Sequence, residues 1–116
     1  MTQSQQQAPN IVGAVDAIRN AQNVLMAQIN ATTDTLAAIK LNQAYQHLDS
    51  VLGQILHLQN TANDQIFAAA AASIKGQTTA LQSDQHAIQG LINDVGTANK
   101  VIGYIGQALG FIGKFC

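Results

Sequence analysis

The sequence predicts an all-α fold, an antiparallel up-down four-helix bundle with a disordered N-terminal tail. Three observations point there. Apolar residues recur three, four or seven apart over most of the chain, the spacing that lines one face of a helix. Clusters of Asn, Asp and Thr, which favour caps and turns, interrupt that spacing at 30–34 and at 60–64. The connections are short, which makes successive helices antiparallel neighbours. An extended helical hairpin is the alternative architecture.

Residues 1–8 are polar, Gln-rich and without periodicity, so they read as a tail outside a single helical-bundle domain over 9–116. Pro9 and Asn10 supply a helix start, with Asn10 as the expected N-cap. Ile11, Val15, Ile18, Leu25 and Ile29 then fall on one face, giving a first helix near 10–30. A second helix near 34–59 carries Leu41, Tyr45, Leu48, Leu52 and Ile55 at alternating spacings of four and three, the seam of a helix lying along another.

From Phe67 onward one stripe recurs every seventh residue: Phe67, Ile74, Leu81, Ile88, Val95, Ile102 and Leu109. Unbroken, about fifty residues at 1.5 Å each would form a rod of roughly 75 Å, too long for the two upstream helices to cover. The spacing therefore predicts a break within "NDVGTANK", with Gly96 as the left-handed C′ residue and Thr97 as the next cap. Helices near 64–94 and 97–114 result.

Composition narrows the function classes. The 116 residues are 47% hydrophobic, enough for one sizeable core, yet only 9% are charged. Glu and Trp are absent, and polarity comes mainly from amides. The five cations, Arg19, Lys40, Lys75, Lys100 and Lys114, are scattered, which argues against nucleic acid as a partner, since useful affinity needs several phosphate contacts from one basic face. An anionic membrane surface likewise lacks its basic stripe. The N-terminus has no cationic, apolar secretory leader and no transmembrane segment is evident, so the expectation is a cytoplasmic chain, one already cleaved, or one exported without a leader.

The most distinctive stretch is "VIGYIGQALGFIGKFC", residues 101–116. Gly103, Gly106, Gly110 and Gly113 are spaced three, four and three apart and so share one side of the last helix. Together they cost about 4 kcal/mol of helix propensity, a large part of a small domain's stability. A bare strip that lets another backbone approach closely would offset that cost, the packing logic of small-xxx-small pairs, here "GQALG". One reading is internal: a central helix whose glycines fit against the Ala-rich "IFAAAAAS" stretch. The other is external, with Gly103, Tyr104, Gly106, Leu109, Gly110, Phe111, Ile112, Gly113 and Phe115 forming a contact surface for a protein partner or a second copy. The spacing is similar to the glycine zippers of membrane-active helical peptides and pore-forming proteins. That resemblance is to a motif covering under a fifth of the chain.

Candidate chemistry is sparse. His47 and His57 are ten residues apart, which points them about 80° from each other and roughly 15 Å apart along a helix, too far to share a metal. Without Glu, a di-iron carboxylate site is excluded, and one cysteine makes no zinc knuckle. Ser83, Asp84 and His86 in "SDQHA" fan out at 100° per residue and form no relay. Asp34, Asp64 and Asp94 sit beside turns, where capping is their ordinary use, and Gln22, Gln54 and Gln85 read with other glutamines as surface amides. Cys116 is either a free terminal thiol or a site for an intermolecular disulfide. No metal and no cofactor is expected. The function expected is non-enzymatic, helix-mediated association; the alternatives are membrane association or permeabilisation through the last helix, and binding of small apolar ligands in the bundle core.

Overall fold

A computed structural model describes residues 6–115, which form four helices: α1 (Ala8–Ala31), α2 (Thr35–Gln59), α3 (Asp64–Leu91) and α4 (Val95–Phe115). They run up and down in chain order, each packed on its sequence neighbours, and α4 closes the ring against α1 through the most extensive interface in the molecule. The particle measures 49 × 20 × 19 Å, two helix diameters across and one helix long. The tail expected at 1–8 falls mostly outside the described residues, and Ala8 already belongs to α1.

The core is built on the a/d spacing of helices lying nearly along one another. The buried seam of α1 runs through Ile11, Ala14, Ile18, Ala21 and Leu25, with Val15, Ala17 and Gln22 buried beside it; that of α2 runs through Ala37, Leu41, Ala44, Leu48, Val51, Ile55 and Leu58, with Leu52 beside it. That of α4 runs through Ala98, Val101, Ile105, Ala108, Ile112 and Phe115. Steps of three and four alternate throughout, and alanines alternate with larger side chains, so neighbouring helices interdigitate at short range. Each fully buried Ile or Leu contributes about 1.5–3 kcal/mol.

The turns are set by short polar side chains that satisfy orphan amides. Asp34 accepts from the Leu36 and Ala37 N–H groups at 3.0 and 3.2 Å, and Asn63 from those of Gln65 and Ile66 at 2.9 and 3.1 Å. Asp64 follows Asn63 in the first turn of α3, where a carboxylate suits the positive end of the helix dipole. At the start of α1 the expected cap is displaced. Gln7 is the N-cap residue, Pro9 lies in the first turn, and Asn10 sits inside the helix with its Nδ2 donating to Gln7 Oε1 at 2.8 Å. Proline's fixed φ and missing N–H suit the first turn, so the helix begins before it.

The break between the last two helices also lies earlier than the glycine signal indicates. Ile92 leaves the helix with an extended backbone, φ −107° and ψ 116°, and its side chain stays buried. Asp94, not Thr97, opens α4: its Oδ1 accepts from the Thr97 N–H at 3.0 Å. Gly96 lies within α4, and no described glycine has positive φ. A carboxylate cap is available two residues before the glycine, and it dictates the boundary. The seven-residue stripe consequently serves as core only in α3, where Phe67, Ile74, Leu81 and Ile88 are buried; beyond the break Val95 is 71% exposed.

Candidate functional site: the outer face of the last helix

The inner face of α4 is committed to the core, and its glycines are not on it. Gly103, Gly106, Gly110 and Gly113 are all exposed. A Cβ added at Gly103, Gly110 or Gly113 would meet no heavy atom within 4 Å, and one at Gly106 would meet only Gln85 Nε2, at 3.5 Å. The internal reading, in which the strip fits against the Ala-rich run of α3, is therefore corrected: the close packing inside comes from alanines of the inner faces, and the glycines form an open outer strip.

The apolar side chains expected beside that strip divide between core and margin. Ile112 and Phe115 are buried, whereas Tyr104, Leu109 and Phe111 are half-buried and packed against the core. Phe111 points toward α1, where a Cβ on Gly13 would lie 2.6–2.8 Å from three of its ring atoms. Lys114 Nζ covers the same ring 5.2 Å from its centroid, a cation–π contact at the surface. Cys116 lies outside the described residues.

One turn before Gly106, Gln85 of α3 donates to the Ile102 carbonyl at 3.1 Å, and a Cβ at Gly106 would make only ordinary contact with that amide. Gln22 does a similar thing between α1 and α2: it is 94% buried, and its Nε2 donates to the Tyr45 carbonyl at 3.5 Å and to Asp49 Oδ1 at 3.4 Å. Gln22 and Gln85 are thus ties between helices, and with half-buried Gln54 they depart from the surface role their composition suggests.

The remaining polar side chains pair or line grooves between helices. His47 Nδ1 and Asp84 Oδ2 lie 2.8 Å apart, pairing α2 with α3; the imidazole is about half exposed. Asp84 thus faces His47 and not His86, while Ser83 and His86 are exposed on α3. Asp49, Ser50 and His57 line one groove between α2 and α3, but Asp49 and His57 are eight residues apart, about 12 Å along the axis, beyond any direct relay. Among the described residues no cluster of three or more His, Cys, Asp or Glu could hold a metal ion, and no described helix is long and apolar enough to cross a membrane. No family model matches the chain, and no curated protein and no solved structure is significantly similar to it.

Proposed function

We propose that this protein is a non-enzymatic helical bundle that acts by association, laying the outer strip of α4 flush against a helix of a partner protein or of a second copy. The observation that carries this reading is the open exposure of Gly103, Gly106, Gly110 and Gly113 along one continuous side of α4. Each exposed helical glycine costs about 1 kcal/mol relative to alanine, and the bundle's own packing returns nothing at 103, 110 and 113. A backbone-to-backbone contact with another helix would return it as dispersion contacts along the strip. The neighbouring exposed side chains, Gln107 and Lys114, leave the approach with little charge to desolvate.

The test is substitution, because deleting residues 101–116 would remove the buried Val101, Ile105, Ala108, Ile112 and Phe115 and unfold the bundle. Gly103→Arg with Gly110→Arg places two long side chains on the strip at positions with nothing within 4 Å, so the fold is retained. Chemical crosslinking and sedimentation velocity of the folded variant should show self-association reduced to the level of a monomer. Association equal to that of the original protein would remove the strip from the account.

A further inference from the structure

We propose that α3 is the opening wall of the bundle: it unfolds locally as one unit while α1, α2 and α4 stay folded, baring the core side chains it covers. α3 is the longest helix and the least buried. Five of its 28 residues are buried, against eight of 24 in α1 and six of 21 in α4. A helix lying along its neighbours fills its seam with two apolar positions in every seven residues. Phe67, Ile74, Leu81 and Ile88 supply the first of these, but the second runs Ala71, Thr78, Gln85, so beyond Ala71 it is polar and half-buried. The Thr78 hydroxyl is spent on its own helix, donating to the Lys75 carbonyl at 2.7 Å.

Polar ties and open grooves take the place of the missing apolar contacts. Asp84 and Gln85 reach opposite ways: Asp84 lies 2.8 Å from His47 of α2, and Gln85 donates to the Ile102 carbonyl of α4 at 3.1 Å. The imidazole in the first tie is half exposed, where water competes for both partners. On one flank a groove of about 470 Å³ lies between Ala70 and Ser73 of α3 and Gly53 and His57 of α2. On the other, about 200 Å³ lies between Lys75 and Thr78 of α3 and Leu109 and Gly113 of α4. Few buried contacts and loosely packed flanks mark a segment that opens at a lower free energy than the whole domain. The rest of the bundle is placed to survive that opening, because α1 packs on α4 and on α2 through the two most extensive interfaces, neither of which includes α3. Once unfolded, the chain from 60 to 94 reaches on the order of 100 Å, more than the 49 Å length of the particle, so α2 and α4 keep their places.

Native-state hydrogen exchange of the full chain, followed by NMR at rising but sub-denaturing urea, tests this. The amides of Ile74, Leu81 and Ile88 should exchange roughly tenfold or more faster than those of Ile18 and Leu25 in α1 and Ile105 in α4, with one shared urea dependence shallower than that of global unfolding. Gly13→Ala then separates the two openings. It crowds Phe111 within the α1–α4 interface, which the opened state retains, so exchange should rise roughly fivefold or more in α1 and stay unchanged in α3. Exchange of the α3 amides at the rate and urea dependence of those in α1, or an equal rise in both helices in Gly13→Ala, would overturn the proposal.

Discussion

The ring of Phe111 occupies the space in front of Gly13: a Cβ there would lie 2.6 Å from the ring's Cζ and within 2.8 Å of two further ring atoms. This contact joins the first turns of α1 to the last turns of α4, the two helices with the most extensive interface. Among the described glycines, Gly13 is the one whose missing side chain is required by the bundle's own packing.

Gly13→Ala is therefore expected to destabilise the protein by about 1–2 kcal/mol, the cost of overpacking less the alanine's gain in helix propensity. Pairing it with Phe111→Ala should remove the clash, so the double variant should be more stable than the sum of the single effects implies. Urea unfolding of the four proteins in the cycle measures the coupling.

The open glycines behave in the opposite way. Gly53→Ala and Gly76→Ala lie in helices with nothing within 4 Å of the new methyl. Each should stabilise by about 0.5–1 kcal/mol. A thermal melt that places Gly13→Ala and Gly53→Ala on opposite sides of the original protein would establish the distinction.

Asp94→Ala should cost about 1 kcal/mol, the worth of an N-cap, because it leaves the Thr97 N–H without its acceptor. Thr97→Ala should cost much less, as its side chain does not open the helix. Equal losses, by chemical denaturation, would return the helix boundary to Thr97.

Gln54→Met keeps the length of the side chain and removes the unpaired oxygen. Stability should rise by about 1 kcal/mol, since an apolar group of similar shape carries no desolvation penalty. The midpoint of urea unfolding reports the change.

Much of this fold is legible from spacing. The three-and-four alternation of α2 places Leu41, Leu48, Leu52 and Ile55 in the core, and the cap clusters place its ends, because helical periodicity and capping are local properties. The junction at Asp94 is harder, since a glycine two residues later sends a competing signal and only backbone geometry decides between them. The side of α4 that faces outward is not legible: its inner stripe holds Ala98 and Ala108, its outer strip holds glycines, and both are small enough to pack. Nor does Gln22 announce its burial, because the acceptors it reaches, the Tyr45 carbonyl and Asp49, belong to another helix. The seat of Phe111 on Gly13 joins residues at opposite ends of the chain; a lone glycine within the first helix is the signal that would have drawn attention to it.

The most direct measurement of the association account is a pair of numbers on one variant, Gly103→Ala/Gly110→Ala/Gly113→Ala: its unfolding free energy and its self-association constant by sedimentation equilibrium. The two should move in opposite directions. The folded unit should gain about 2–3 kcal/mol of stability from three alanines in open helical positions, while association weakens roughly tenfold as methyl groups hold the neighbouring backbone away. A stabilised variant that associates as the original protein does, or an original protein that stays monomeric throughout, would contradict the claim that the strip is a contact surface between copies.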